Sequence, residues 1–375
     1  MNDKEGHILN IFGTLTDYRM QAKCDYKLID IIVLSICAVI SGADNWVAVQ
    51  DFGIAKEKWL RKFLELPNGI PSHDTISRTF RWLNTLEFEA CFLKWVQSVS
   101  EIIECQIIPI DGKTLRRSYD KKSDKAAIHM VSAWGAMNGL VLGQIKTKEK
   151  SNEITAIPEL LNLLDINGCI ITIDAMGCQK AITKKIIDKG ADYVIAVKEN
   201  QPTLYRDIIT HIDESLEKSQ TNKNIIDYHE TSESGHGRKE IRRYYIVDNV
   251  NEIESAIDWE GLNTIGMVES IRTENKKTTT NKRYYISSIN KNAKHFSNAV
   301  RKHWGIENSL HWVLDVAFRE DESRVRKDNS AENFSVLRRI ALNCLKSEKT
   351  AKGGIKNKRN KAGWDLNYLE KVVGF

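Results

Sequence analysis

Three carboxylates in distinctive local frames constrain this chain more than any other feature: Asp111 in I-P-I-D-G-K, Asp174 in I-I-T-I-D-A-M-G, and Glu307 in R-K-H-W-G-I-E-N-S-L-H-W. The first two end short apolar runs, residues 107–110 and 169–173, which are brief and rich in β-branched side chains and therefore read as buried strands. Glu307 falls in a helical stretch, where Trp304, Ile306, Leu310, Trp312 and Leu314 supply bulk that calls for burial. An ionised carboxylate at the mouth of a buried strand is costly to desolvate unless a cation or hydrogen bonds compensate it. Three that converge suit a divalent metal.

With 375 residues, 42% of them apolar and 28% charged, the chain has the composition of a soluble globular protein with room for two or three domains. Its start, Met1 to Glu5, is polar and lacks the basic region and apolar core of a secretory signal, which predicts a cytoplasmic protein. The longest apolar run, residues 31–40, is about half the roughly 20 residues a bilayer span needs, so no membrane segment is expected. Seven cysteines, from Cys24 through Cys105 to Cys344, are odd in number, scattered and never spaced C-x-x-C, against both a disulfide framework and a zinc ribbon. A formal charge of +5 is modest, but Lys349, Lys352, Lys356, Lys358, Arg359 and Lys361 crowd the C-terminus without an acid among them. That segment reads either as a solvated mobile tail or as a phosphate-binding arm.

Residues 1–100 read as an all-helical domain. Within it, Ser72 is placed to cap a helix, Asp74 favours its first turn, and Ile76, Phe80 and Leu83 share one face while Arg78 and Arg81 share the other. Following a shorter helix near residues 59–64, this is either the recognition helix of a helix-turn-helix or an ordinary surface helix. From residue 106 the pattern changes to strand 107–111, strand 130–136, an Asn138-Gly139 turn, strand 140–145, helix 154–164, strand 169–174, helix 179–189 and strand 193–198. This is a mixed α/β layer over residues 101–200. Residues 201–290, with helix 204–218 and strand-like segments 241–247, 264–271 and 283–289, read as a β-rich insertion. Helical periodicity returns from 293 to 318 and from 331 to 346, making residues 291–348 a second part of the α/β unit that carries Glu307, ahead of the basic tail 349–375.

Mg²⁺ prefers oxygen ligands and is held by one or two carboxylates plus substrate phosphates, and two such ions about 4 Å apart serve phosphoryl transfer. Asp111 is the candidate bridge between two ions, with Asp174 on one and Glu307 on the other. Each acid has a plainer alternative: an Asp-Gly turn, a helix cap, an exposed helical acid. Candidate phosphate contacts are Lys113, Arg116 and Arg117 after the first acid, Lys198 at a strand end, Arg238 in the frame Gly235-His236-Gly237, and Arg301 and His303 before Glu307. His303, Glu307 and His311 at four-residue spacing invite zinc as a competing metal. No phosphate-binding glycine loop is present, so no nucleotide cofactor is expected.

Assembled, these frames resemble the DDE transposases of bacterial insertion sequences, and most closely the group that includes the H-repeat-associated proteins of Rhs elements. F-G-T-L-T-D-Y-R at residues 12–19 and P-S-H-D-T-I-S-R from residue 71 resemble the N-terminal associated domain. I-D-G-K-T-L-R, T-I-D-A-M-G-C-Q, A-V-K-E-N-Q, H-G-R and the long block R-K-H-W-G-I-E-N-S-L-H-W-V-L-D-V-A-F-R-E-D resemble the catalytic half. The resemblance implies a ribonuclease H-like catalytic domain, a mixed sheet flanked by helices, with a β-rich insertion, and Asp111, Asp174 and Glu307 as the acid triad. It further implies Mg²⁺ as two ions with Mn²⁺ as a substitute, double-stranded element ends and target DNA as partners, a homodimer on DNA, and a place at the bacterial nucleoid. The wider superfamily often flanks its Glu with a Tyr, an Arg and a Lys, whose places here hold Val300, His303 and Leu314. Asp315 and Asp321 read as auxiliary acids or salt-bridge partners. Two other outcomes stay open: a silent transposon-derived DNA-binding protein, and a nuclease that cuts without joining.

Overall fold

The computed structural model describes residues 7–20, 22, 24–99, 106–119, 126–147, 153–222, 224–235 and 237–374; the polar start at residues 1–5, Cys105 and His236 lie outside them. The N-terminal part is helical as expected: α1 His7–Phe12, α2 Leu28–Ile40, α3 Trp46–Leu60, α4 His73–Trp82 and α5 Thr85–Val99. Apolar nearly all round, α2 is buried along almost its whole length, which makes it the axis of this domain. Ser72 caps α4, its hydroxyl accepting from Thr75 N at 3.3 Å, and Ile76 and Phe80 turn into the core. The helix ahead of α4 is the long α3 rather than the short one expected near 59–64.

β1 Ile107–Thr114, β2 His129–Gly135, β3 Leu140–Lys146, β4 Ile170–Ile173 and β5 Asp192–Val197 lie in the order β3-β2-β1-β4-β5. β2 runs antiparallel to β1 and β3, whereas β4 and β5 are parallel to β1. This is the ribonuclease H-like arrangement. The β2–β3 turn uses Gly139 at φ +72°, a conformation open to glycine at no steric cost. Two helices, α6 Glu153–Leu163 and α7 Lys180–Asp188, follow β3 and β4 and bury Leu160, Leu161, Ile182 and Ile186 against Ile108, Ile110, Ile171 and Ile173 on one face of the sheet.

After α8 Pro202–Ser219 the insertion forms β6 Asp227–Gly235, β7 Arg238–Val247, β8 Thr264–Glu274 and β9 Lys277–Ser287. These strands do not make a sheet of their own. β9 pairs antiparallel with β5, from Val194↔Ser287 to Val197↔Tyr284, and the result is one nine-stranded sheet. β6 was not expected, because D-Y-H-E-T-S-E-S-G has no apolar alternation; it is an edge strand with His229 and Thr231 half-buried on one face and the other exposed, where charge guards against stray pairing. β9 starts earlier than the expected residue 283. Its first half pairs with β8 alone among the described strands, so the insertion overhangs the end of β5.

The chain then forms α9 Ala293–His303, α10 Trp312–Phe318, α11 Ser330–Ser347, α12 Ile355–Trp364 and α13 Leu366–Val373. On the second face of the sheet, Phe296, Ala299 and Val300 of α9 cover Ile107, Ile170 and Val194. α11 is wedged between the helical domain and β3, where Asn343 both accepts from Val141 N and donates to Val141 O, each at 2.9 Å. The basic C-terminus is therefore neither a mobile tail nor an arm free for phosphate at two of its charges. Arg359 is buried, donating to Val39 O at 3.1 and 2.8 Å and to Asp44 Oδ1 at 3.0 Å, and Lys358 donates to Leu345 O at 3.0 Å. Both satisfy carbonyls left open where α2 and α11 end. Lys349, Lys352, Lys356 and Lys361 remain exposed. Among the described residues no helix is long and apolar enough to cross a membrane.

Candidate active site

Ile110 of β1 lies opposite Ile173 of the parallel β4, so Asp111 and Asp174, the next residues on each chain, emerge side by side on strands about 4.8 Å apart. Asp174 also caps the following 3₁₀ turn, its Oδ1 accepting from Met176 N at 3.0 Å, so the cap and the site position coexist in one residue. Glu307 begins a π-helical segment, Glu307–His311, inserted between α9 and α10. Such widened turns recur at functional sites because they re-aim side chains. Ile306, Leu310 and Leu314 anchor the segment in the core. Trp304 and Trp312, expected to be buried with them, are instead 47% and 59% exposed beside the acid.

Asp111, Glu307 and His311 bring one potential ligand atom each to within 4.8 Å of one another. His311 is only 6% exposed, its Nδ1 lies 3.5 Å from Asp111 Oδ2, and its Nε2 has no hydrogen-bond partner. Burial, with Lys113 and Arg339 nearby, holds this imidazole down to about 4, so it is neutral at ordinary pH and able to donate a lone pair. Burial pushes the Asp111 carboxyl up to about 7, with Asp174, Glu307 and Glu153 adding repulsion against the Gly112 backbone hydrogen bond. Asp174 is raised as well, by burial and by Glu153, against the Met176 and Gly177 amides and Lys198. Carboxylates crowded until they resist ionisation are in the electrostatic state that a cation relieves.

The stripe of His303, Glu307 and His311 that would serve the competing zinc reading does not form: among the described residues Glu307 and His311 group with Asp111 and not with His303. His303 turns onto the sheet, its Nδ1 3.1 Å from Thr172 Oγ1, and burial holds it down to about 4. Val300 and Leu314, at two of the places where relatives often carry Tyr and Lys, are core residues. Two groups beside the acids went unrecognised in the sequence. Glu153, the first residue of α6, lies 2.5 Å through Oε1 from His129 Nε2, and His129 Nδ1 lies 2.8 Å from Thr114 Oγ1. An acid in a first helical turn is so common that K-S-N-E carried no separate signal.

The basic candidates divide. Lys113 is buried and bound to Asp315, to Glu320 at 3.1 Å and to Asp321 at 3.7 Å, so it faces protein carboxylates and not phosphate. Asp315 and Asp321 are thereby salt-bridge partners. Arg116, 80% exposed, also reaches Asp321 at 3.1 Å, and Arg117 is exposed. Arg81 is tied to Asp328 at 2.7 Å, whereas Arg78 is exposed on α4. Arg238 is exposed at the β6–β7 hairpin, next to Gly237 at φ +73°. Lys198 lines an open cleft of about 590 Å³ that begins at Asp174 and includes Asn200, Lys282 and Arg283. Arg283 is shared with a second cleft holding Arg242, Arg301 and Trp304, and its guanidinium sits 4.6 Å from the Trp304 ring centre. Arg301 is paired with Glu233 at 2.8 Å.

A ribonuclease H-like sheet with aspartates side by side on neighbouring parallel strands and a third acid on a packed helix defines an enzyme of the transposase and nuclease type. Residues 104–344 match the transposase DDE domain family and residues 9–96 the DDE_Tnp_1-associated family, and the chain belongs to the DDE transposases. It is 47% identical to "Putative transposase YncI" of Escherichia coli O157:H7 over 98% of this chain and 94% of that one. It is 45% identical to "H repeat-associated putative transposase YhhI" of Escherichia coli K12 over 98% of this chain and 97% of that one. Among solved structures, a chain of the piggyBac transposase synaptic complex with hairpin DNA aligns at 12% identity and a TM-score of 0.42, over 98% of this chain and 77% of that one, too distant to bear on the site.

Proposed function

We propose that this protein binds the terminal inverted repeats of its element as a homodimer, hydrolyses DNA to release 3′-hydroxyl ends, and joins those ends to target DNA in Mg²⁺-dependent reactions. The observation that carries the proposal is the emergence of Asp111 and Asp174 from neighbouring parallel strands with Glu307 gathered against Asp111. The donor set fits a hard divalent ion: oxygen ligands dominate, and the one imidazole is neutral with an unpartnered buried nitrogen. Asp111, Asp174 and Glu307 would hold Mg²⁺, or Mn²⁺ in its place. When bound, such ions activate an attacking oxygen and stabilise the leaving one.

The chain's own groups position the rest. Lys198, Lys282 and Arg283 face the cleft that opens at Asp174 and are suited to the phosphates on one side of the reacting bond. Buried between β1 and the acids Asp315, Glu320 and Asp321, Lys113 fixes the strand that carries Asp111 relative to α10. The test is purified protein with Mg²⁺ and end-containing duplex. Nicking and joining are expected, and Asp111→Asn, Asp174→Asn and Glu307→Gln should bind DNA without cutting it. Activity of Asp111→Asn equal to the parent refutes the assignment, cutting without joining replaces transposition with nuclease action, and binding without cutting marks a silent relic.

A further inference from the structure

The two faces of the sheet deliver different groups to its acidic end. Alternation along β1 sends Ile108 and Ile110 to the α6 and α7 side and Ile107 to the α9 side, so Asp111 shares the α9 face and Gly112 the α6 face. The same alternation along β4 puts Ile171 and Ile173 on the α6 side and Ile170, Thr172 and Asp174 on the α9 side. Asp111, Asp174, Glu307 and His311 therefore meet on one face. Glu153 comes from the other.

What lets Glu153 reach the same end of the sheet is the absence of a side chain at Gly112. A Cβ there would lie 2.3 Å from Glu153 Oε1 and 2.4 Å from His129 Nε2, both far inside contact distance, so the carboxylate and its imidazole occupy the space that any other residue would fill. The glycine beside Asp111 lets Glu153 lie against the backbone of β1, in the place a side chain would fill. His129 holds it there: Nδ1 is engaged by Thr114 and Nε2 by Glu153 Oε1, an arrangement that fixes the imidazole and orients the carboxylate. One oxygen is taken by His129, and a carboxylate has a second. The Glu153 charge is also felt by both aspartates. On the opposite side His311 is buried, with Nδ1 3.5 Å from Asp111 Oδ2 and Nε2 without a hydrogen-bond partner.

We propose that Glu153, drawn against the β1 backbone at Gly112 and held by His129, is a fourth carboxylate ligand of the metal centre formed by Asp111, Asp174 and Glu307. The proposal rests on the metal centre described above. A plain helix-cap ion pair would need neither the glycine nor the nearness to both aspartates.

The experiment is a Mn²⁺ titration of the full chain without DNA, read by the electron paramagnetic resonance of the free ion, with thermal melts in parallel. Glu153→Gln is expected to weaken binding of at least one ion by about 10–100-fold, and Gly112→Ala, which displaces the carboxylate, to do the same with Glu153 intact. Glu153→Asp, which keeps the charge one methylene further back, covers the case in which Glu153→Gln does not fold, and is expected to bind Mn²⁺ more weakly than the parent. Parent-like Mn²⁺ affinity in the folded Glu153 variants, alongside loss of binding in Asp111→Asn, overturns the fourth ligand and leaves the triad standing. Parent-like affinity in Asp111→Asn as well overturns the centre itself. A purely structural ion pair would lower the melting temperature of Glu153→Gln while leaving its Mn²⁺ affinity unmoved.

Discussion

Removing the charge of Asp111 should make the metal-free protein more stable at alkaline pH while abolishing its response to metal. The carboxyl titrates near 3.8 in the unfolded chain and is pushed up to about 7 in the fold. Below pH 3.8 both states hold the proton and the group contributes fully to stability; as pH rises toward 7 the unfolded chain ionises freely while the fold resists, and that contribution is lost. A shift of about three units at 1.36 kcal/mol each sets an upper bound of roughly 4 kcal/mol. The side chain is 20% exposed, so water offsets part of this and about 2–3 kcal/mol is the working figure. Asp111→Asn cannot ionise. In chelator, denaturant unfolding should show the variant gaining on the parent from pH 4 to pH 8 by about that amount, and Mg²⁺ should then raise the parent's midpoint but not the variant's. A difference that stays flat across this range refutes the claim that desolvated charge is stored at Asp111.

Lys113→Met should lower stability by about 3–5 kcal/mol in denaturant unfolding, because it strips one cation from the buried Glu320 and leaves Asp315 without its lysine. Lys282→Ala combined with Arg283→Ala should weaken DNA binding and reduce the slope of log affinity against log salt by about two, with Mn²⁺ affinity unchanged; a parent-like slope removes the cleft from the DNA path. Truncation after residue 348 should abolish cooperative unfolding or lower its midpoint sharply, since it removes Arg359 from Val39 and Asp44, whereas loss of a solvated arm would leave the midpoint in place.

The acids after the apolar runs of β1 and β4 were legible because strands buried on both faces must be short, apolar and β-branched, and a charge beside such a run stands out. Even so, β1 does not end at Asp111 as expected but runs on to Thr114 along β2. β6 escaped because the face it half-buries is built of Asp227, His229 and Thr231, which carry no hydrophobic period. The C-terminal helices escaped for a different reason: charge density is a property of composition, while the burial of Arg359 depends on the carbonyl of Val39, more than 300 positions away. Lys113 shows the limit of sequence proximity. Two residues from Asp111 on the same strand, it shares the face toward α10, where three acids claim it before any phosphate can. Glu153 was invisible as part of the site because its partner in meaning is a missing side chain, and one glycine among 21 announces nothing until the sheet is assembled.

Because β9 shares its ladder with β5, the overhanging hairpins are an extension of the ruler on which Asp174 and Lys198 are marked, not a flap on a hinge. Any contact made out on those strands is indexed to the acids in steps of about 3.3 Å per residue. Trimming two residues from each of β8 and β9 would draw such a contact inward by about 7 Å without disturbing a single carboxylate, so the distance between that contact and the acids is a length the gene can edit.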